Sequence, residues 1–335
     1  VEMEELIVRA TRATEKTPMT YTNLDKAEIE KANLGQDAPF LLRWTPSAVV
    51  TSDAGAGIGY TGIRIRGSDP TRINVTINGI PLNDAESQGV FWVNLPDFLT
   101  SVNDVQIQRG VGTSTNGAGA FGASINLSTA DVEEEPHATV NASVGSFNTW
   151  KTNVQVSTGL LDDKFSFQGR LSRIQSDGYI DRAASDLDSW FVSGAYKGQK
   201  SILRANVFSG HEVTYQAWYG VPEDSLATNR TYNPAGQEKE GDPYDNEVDD
   251  YRQTHYQLLY NTQVTPNWNL NLSGHYTRGR GFFEQYKAGE FLADYGITPP
   301  VIGGETVTQT DLIRRLWLDN HFYATVYSAR YLNNT

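Results

Sequence analysis

Three glycines have a spacing that can bind phosphate. Gly117, Gly119 and Gly122 follow the pattern G-x-G-x-x-G, which presents backbone N–H groups to a pyrophosphate at the start of a helix. Such a site needs a strand leading directly into the glycines and a helix after them. Here residues 112–116 separate the glycines from the preceding strand, and the alternating segment 124–129 predicts a second strand. The sequence therefore favours a glycine-rich connection between two strands over a nucleotide site.

The other reactive side chains form no catalytic or metal-binding pattern. The five histidines are scattered and never spaced as H-E-x-x-H, and His255 and His275 fall on the polar side of predicted strands, where wall residues are expected. The acidic loops 177–188 and 237–252 suggest a calcium site, but neither has the spacing of a calcium-binding loop, and solvated loops are the favoured interpretation. We therefore predict no enzyme, no cofactor and no metal site.

Composition points to a membrane protein that crosses with strands. The net charge of −13 argues against binding to nucleic acid. No apolar run approaches the roughly 20 residues of a spanning helix. The 17 Tyr, 13 Phe and 7 Trp are instead interleaved with polar residues at strand-like spacing. Such a chain is polar on average yet apolar on one face of each strand, which is typical of a transmembrane β-barrel.

The first part of the chain, up to about residue 131, predicts a small α+β domain. Residues 23–34 favour a short helix capped by Asn23 or Asp25. Residues 62–66 and 72–77 alternate as strands, and Asn78 with Gly79 then indicates a type I′ turn.

The second part, from His137, predicts about eight strands of the length that spans a membrane. The last of these has the apolar series Leu316, Leu318, Phe322, Ala324 and Val326. Short connections alternate with long ones, as in outer-membrane barrels, whereas a soluble β-sandwich has no reason to place its long loops at one end. A barrel of about eight strands could not enclose the first domain, whereas plugged barrels have about 22 strands. We therefore expect this chain to be the N-terminal part of a longer one.

Three segments carry a resemblance to a known family. They are 63–67 (IRIRG), 74–82 (NVTINGIPL) and 105–129. With them, the chain resembles the plug domain and first barrel strands of a TonB-dependent outer-membrane receptor. Asn78, Gln106 and Ala123 depart from the family pattern without disturbing the turn or the strand alternation.

The resemblance implies a membrane β fold with three parts. Residues 1–15 would form an N-terminal segment with a TonB box, and residues 16–132 a small α+β plug domain. Residues 133–335 would form part of an antiparallel transmembrane β-barrel of about 22 strands.

The N-terminus is similar to the TonB box of this family. An extended acidic-then-aliphatic heptad can add a strand to a sheet edge of a periplasmic partner, here the TonB C-terminal domain. The predicted contact residues are Glu4, Glu5, Leu6, Ile7, Val8, Arg9 and Ala10.

The resemblance implies active import across the outer membrane of a Gram-negative bacterium, by plug rearrangement after TonB engages residues 4–10. Ferric siderophore is the default ligand, with outer-membrane lipid as the surroundings. Import of cobalamin, glycan or peptide with a surface lipoprotein partner is the alternative. A soluble β-rich binding module or adhesin is the alternative of another class.

Two sets of side chains are expected to serve import. The predicted ligand contacts at the outward apices of the plug are Gly57, Tyr60, Asp84, Glu86, Gln88, Phe91 and Trp92. The predicted anchors between plug and barrel are Arg64, Arg66 and Arg109. Phe91 and Trp92 serve equally well as core residues of the plug, because large aromatic side chains are usually buried.

Overall fold

The computed structural model describes residues 12–14, 17–111, 119–129 and 132–331, which fold into two parts. An α+β part, the N-terminal domain, extends from Thr20 to Thr129. An eight-stranded antiparallel sheet, the wall sheet, runs from Pro136 to Tyr331. No helix within the described ranges is both long enough and apolar enough to cross a membrane.

The N-terminal domain is built on a five-stranded sheet. Its elements are β1 (Thr20–Asp25), α1 (Lys26–Ala32), α2 (Ala38–Leu41), β2 (Ala48–Ser52), β3 (Thr61–Ile65), β4 (Ile73–Ile77), β5 (Ile80–Pro81), β6 (Val102–Arg109) and β7 (Ala123–Thr129). The sheet order is β1-β6-β7-β4-β5, with β4 parallel to β7, and β2 and β3 form a separate hairpin. Ile65, Val105, Ile107 and Ile125 are fully buried at the centre of its core.

Local sequence signals explain two of these elements. Helix α1 begins after Asp25, whose carboxylate accepts from the Glu28 backbone N–H at 2.9 Å while the Glu28 side chain accepts from the Asp25 backbone, forming a capping box. The predicted turn after β4 is present, with φ of 56° at Asn78 and 78° at Gly79.

The glycine-rich stretch lies between β6 and β7, as the sequence predicts. The two strands pair antiparallel, with Arg109 opposite Ala123, so a strand and not a helix follows the glycines. Gly122 is needed for close approach, because a Cβ there would lie 2.3 Å from the Cβ of Ser68. Gly117 lies outside the described residues.

The wall sheet is a meander of long strands. They are β8 (Pro136–Gly145), β9 (Thr149–Thr158), β10 (Phe165–Ser176), β11 (Ser185–Lys197), β12 (Ser201–Tyr215), β13 (Val248–Thr265), β14 (Trp268–Phe291) and β17 (Gln309–Tyr331). A small hairpin, β15 (Val301–Ile302) and β16 (Glu305–Thr306), lies in the connection before β17. The long connections 177–184, 216–247 and 292–308 share one end of the sheet, and short turns occupy the other. The connection 146–148 is also short, although it lies at the long-loop end.

The two faces of the wall sheet differ in polarity. Buried polar residues such as Asn153, opposite Ser172, face the N-terminal domain, while Leu171 and Leu258 are exposed on the other face. This inward-polar arrangement is the reverse of a soluble sheet and matches the alternation of a barrel wall.

Strand β17 differs from the pattern that its sequence suggests. Phe322 lies opposite Thr277 and Ala324 lies opposite His275, and both partners line the cavity. The predicted apolar series of β17 therefore lies on the inward face of the wall sheet. The outward face carries Tyr323 and Tyr327 instead. Both faces of this strand are apolar, so alternation alone cannot distinguish them, and the pairing register with β14 decides.

Candidate functional site

A cavity of about 520 Å³ separates the N-terminal domain from the wall sheet. Tyr60 and residues of segment 81–95 line it on one side, and strands β12, β13, β14 and β17 on the other. The volume lies within the range of about 300–1,000 Å³ that is usual for small-molecule sites.

Three of the predicted ligand contacts line this cavity: Tyr60, Asp84 and Phe91. The Asp84 carboxylate shapes its own turn, since its Oδ1 accepts from the backbone N–H groups of Glu86 at 2.8 Å and Ser87 at 2.7 Å. Phe91 is about half exposed and offers apolar area to a ligand.

The other four predicted contacts lie elsewhere. Trp92 is 4% exposed because it packs in the core of the N-terminal domain. Gly57 has a φ of 77°, and a Cβ there would lie 2.7 Å from Gln36 Nε2, so it serves a tight loop. Glu86 and Gln88 are exposed, and the Gln88 amide donates back to the Ala85 carbonyl at 2.8 Å. Their contact with a ligand stays a prediction.

The wall contributes side chains that the sequence did not single out as ligand contacts. They are Glu212, Asp249, Tyr251, Gln253, His255 and His275. His255 is buried, with Nδ1 2.9 Å from Thr277 Oγ1 and its ring stacked on Phe208 at 4.6 Å. The sequence places only His255 and His275 on the polar side of predicted strands. Glu212, Asp249 and Tyr251 lie where β12 and β13 extend further than the alternation predicts, and which positions meet the cavity depends on long-range register.

The described lining of the cavity includes three acidic side chains and no Lys or Arg: the acids are Asp84, Glu212 and Asp249. The Tyr60 hydroxyl donates to Asp249 Oδ2, while Asp249 Oδ1 is buried without a hydrogen-bond partner. Glu212 is 1% exposed and accepts from Thr214 Oγ1 at 3.2 Å. A buried carboxylate is stable only when it is neutralised or well hydrogen-bonded, so this lining favours positively charged or donor-bearing groups.

The N-terminal domain adds acidic groups close by. Burial raises the pKa of Asp37 to about 8, although Thr61 Oγ1 donates to its carboxylate at 3.0 Å. Burial also raises the pKa of Asp53 to about 6. Burial, followed by the charges of Glu212 and Asp249, raises the pKa of Tyr60 well above its usual value. This side of the interface therefore holds more acidic groups than it can keep ionised.

Asp97 joins the N-terminal domain to the wall sheet. Its Oδ1 lies 2.5 Å from Lys151 Nζ, and its Oδ2 lies 3.7 Å from Arg170 Nη1. Asn153 and Ser172 also donate to Oδ2, at 2.8 Å and 2.7 Å. Burial opposes ionisation, but Lys151 and Arg170 hold the pKa of Asp97 at about 2. We name Asp97 with these four wall partners the anchor.

The backbone beside Asp97 is held as well. Ser189 Oγ donates to the Pro96 carbonyl at 2.7 Å, and Arg170 donates to the Asp97 carbonyl. Gly210 allows this contact, because a Cβ there would lie 2.2 Å from the Asn94 carbonyl oxygen. No motif marked these residues in the sequence.

The predicted anchors Arg64, Arg66 and Arg109 each contact the N-terminal domain itself. Arg64 pairs with Asp69 at 3.0 Å, Arg66 donates to Thr20 Oγ1 at 2.9 Å, and Arg109 donates to the Pro46 carbonyl at 3.5 Å. Their contact with a barrel stays a prediction.

Other predicted positions yield no further site. The TonB-box residues 4–10 lie outside the described residues. No group of three or more His, Cys, Asp or Glu within the described ranges is arranged to hold a metal ion. The predicted loop 177–188 ends at residue 184, because β11 begins at Ser185, and Asp186 on this strand pairs with Arg173 at 2.8 Å.

The TonB-dependent receptor plug domain family matches residues 13–124. Among curated relatives, the metal-pseudopaline receptor CntO of Pseudomonas aeruginosa is 24% identical over 196 residues, which are 56% of this chain and 26% of that protein. The chain thus spans about a quarter of the length of the curated relatives it matches.

Solved structures share the fold. The ferric-catecholate import receptor Fiu of E. coli K12 in its open form superposes with a TM-score of 0.67 at 15% identity, over 95% of this chain and 47% of that one. The siderophore receptor PirA of Acinetobacter baumannii gives a TM-score of 0.62 at 16% identity, over 89% and 44%.

Proposed function

Because this chain is the plug domain and barrel strands of a TonB-dependent outer-membrane receptor, we propose that it serves TonB-driven import across the outer membrane of a Gram-negative bacterium. The imported ligand is scarce or bulky, with ferric siderophore as the default class. Similar proteins support that class, since they include a metal-pseudopaline receptor, a ferric-catecholate import receptor and a siderophore receptor.

The observation that carries this proposal is the cavity between the two parts of the chain. It lies towards the long-loop end, where Tyr60, at the end of the β2–β3 loop, donates to Asp249 near the start of β13. Long loops of outer-membrane barrels face the cell exterior, so a ligand arriving from outside meets this cavity. Its acidic lining favours a ligand that presents hydrogen-bond donors or positive charge.

The proposed transport step is a rearrangement of the N-terminal domain. A periplasmic partner adds residues 4–10 to a sheet edge and pulls, with energy from the proton gradient. The anchor holds one part of the interface, while the acidic part has few strong bonds to break. A path for the ligand therefore opens on the acidic side.

Uptake measurements test this proposal. The full-length receptor is expressed in a strain lacking its own siderophore receptors, and uptake of iron-55 is followed with a hydroxamate and a catecholate siderophore. We expect uptake that depends on the tonB gene and is lost in an Ile7→Pro variant, because proline removes a backbone donor from the added strand. Uptake that is unchanged without TonB would contradict the proposal.

Ligand class is tested in the same cells. Labelled cobalamin and a labelled oligosaccharide are the matched alternatives, and uptake of either one without iron uptake would replace the siderophore assignment. A peptide of residues 1–15, compared with its scrambled sequence, tests binding to the TonB C-terminal domain directly.

A further inference from the structure

Two buried oxygens in the lining of the cavity accept no hydrogen bond from the described residues. They are Oδ1 of Asp249 on β13 and Oδ1 of Asn94 in the segment that follows Phe91. Asp249 is 5% exposed and Asn94 is 6% exposed, so bulk water does not compensate for the missing donors. A buried acceptor without a donor is unfavourable. The lining is therefore suited to a ligand group that donates hydrogen bonds.

Glu212 brings a further acceptor to the same place. Glu212 lies directly opposite Tyr251, and Asp249 is two residues before Tyr251, so the two acids are diagonal neighbours on the inward face. Cβ atoms at such positions are about 7 Å apart. Asn94 lies beside them, because its backbone carbonyl packs against Gly210, two residues before Glu212 on β12. One small group with several donors is thus within reach of both carboxylates and of the Asn94 amide oxygen.

These acceptors have no positively charged partner in the part of the chain that the structure describes. The described lining holds no Lys or Arg, and the donors to Asp249 and Glu212 are the neutral hydroxyls of Tyr60 and Thr214. The inward histidines lie farther along the wall: His255 is six residues beyond Asp249 on β13, about 20 Å along the strand. The negative charge near Asp249 is therefore left for a ligand to balance.

We infer that the imported ligand carries a protonated primary amine, which binds between Asp249, Glu212 and Asn94. An ammonium group has three donors and a positive charge, so it offers one hydrogen bond to each of these acceptors. The same site disfavours a ferric tricatecholate, which is an anion because three catecholate dianions exceed the charge of Fe³⁺. The inference rests on the proposed import and narrows its ligand class to metal chelates with a free amine.

A charge series of one chelate tests this inference on the full-length receptor in neutral detergent. A linear ferric trihydroxamate is prepared with a terminal primary amine, with that amine acetylated and with that amine succinylated. The end group is then positive, neutral or negative, while the iron centre is unchanged. Binding is measured by isothermal titration calorimetry. We expect the free amine to bind at least about tenfold more tightly than the acetylated form, as for the loss of a charge-assisted hydrogen bond, and the succinylated form to bind most weakly.

Two double variants locate the preference in the cavity. Glu212→Gln/Asp249→Asn keeps the side-chain shapes and removes both charges, so the three forms should bind it within about twofold of one another. Glu223→Gln/Asp224→Asn removes two exposed acids of the connection 216–247 and should keep the wild-type preference. The comparison of the three forms on the wild type decides the matter even if the first variant does not fold.

Three results on the wild type would overturn the inference: equal affinities for the three forms, tightest binding of the succinylated form, or no saturable binding of any form. A preference for the amine that persists in Glu212→Gln/Asp249→Asn would overturn the assigned site. Failure of the proposed function is distinct, because iron uptake that does not need TonB would leave the binding preference in detergent unchanged. TonB-dependent uptake by a receptor without a preference for the amine would end only this inference.

Discussion

Two parts of one interface have opposite charge balance. At the anchor, the single carboxylate of Asp97 meets the two cations Lys151 and Arg170, with further donors around it. At the cavity, Glu212 and Asp249 meet the hydroxyls of Thr214 and Tyr60 and, within the described chain, no cation. Both parts are buried, so solvent screening does not account for the difference.

The contrast assigns different tasks to the two parts. A buried ion pair with complete hydrogen bonding fixes geometry, and breaking it leaves unpaired charge. Buried acids without cations need protons or an incoming ligand to become stable. The anchor is therefore suited to hold the N-terminal domain, and the cavity side to respond to what enters it.

The largest expected effect comes from removing the charge of Asp97. Asn at this position tolerates the left-handed φ of 51° and keeps the shape, so Asp97→Asn isolates the electrostatic part. We expect a loss of about 3–5 kcal/mol in unfolding free energy, because two buried cations lose their partner. Denaturant unfolding of the full-length receptor in detergent measures this value.

Asp69→Asn is the control for that substitution. It removes a carboxylate from the exposed pair with Arg64, where solvent screens the interaction, and should change stability little. Equal effects of the two substitutions would mean that the anchor contributes no more than a surface pair.

The second prediction separates the two parts by pH. Asp37 has a folded pKa of about 8 and an ordinary value of 3.8, so the folded state holds an extra proton between about pH 4 and pH 8. Stability on the cavity side must therefore fall as pH rises through that window, by up to about 1.4 kcal/mol per unit. The anchor behaves oppositely, because the low pKa of Asp97 gives stability that is lost only as pH falls below about 4.

Unfolding measured from pH 5 to pH 9 checks the sign. Asp37→Asn should flatten the decline, because asparagine cannot ionise yet can still accept from Thr61. A wild type whose stability rises steadily across this range, with Asp37→Asn unchanged, would contradict the assignment.

Whether the sequence predicts a feature of this structure depends on how far apart along the chain the contacting residues lie. Local signals sufficed for the capping box at Asp25 and the turn at Asn78, because each lies within a few residues. Alternation sufficed to predict that the wall strands are present, but not which face of β17 points inward. Asp97 carries no motif, and its partners Lys151 and Arg170 follow more than 50 residues later, so only the docking of the two parts reveals it.

The three arginines that were predicted to be anchors also show that a local sequence pattern does not identify a distant partner. Arg64, Arg66 and Arg109 lie within the family-like segments 63–67 and 105–129 and were therefore predicted to be anchors, yet the described contacts of each lie within the N-terminal domain. An arginine in a family-like segment indicates that a polar partner is needed. The sequence does not tell whether the N-terminal domain or the wall sheet provides that partner.

The third prediction concerns the space at the anchor. Gly210→Ala would place a Cβ 2.2 Å from the Asn94 carbonyl oxygen and push the 94–97 segment away from the wall. We expect a loss of about 1–3 kcal/mol, as for other overpacked sites. Gly274→Ala is the matched control on the opposite, outward face of the wall sheet, where nothing lies within 4 Å of the added atom. If both substitutions leave the melting temperature unchanged, the close contact at Asn94 is not a constraint.

The smallest expected effect lies on the cavity side. Tyr60→Phe removes the hydroxyl that donates to Asp249, and a hydrogen bond to a charged group contributes about 1.5–3 kcal/mol. Here burial favours the neutral acid, so we expect a lower value of about 1 kcal/mol. Ligand affinity should change more than stability, because the freed carboxylate faces the cavity. A stability loss as large as that of Asp97→Asn, with unchanged ligand affinity, would show that Tyr60 and Asp249 form a second anchor. The cavity side would then attach the N-terminal domain to the wall sheet, as the anchor does, and would not respond to a ligand.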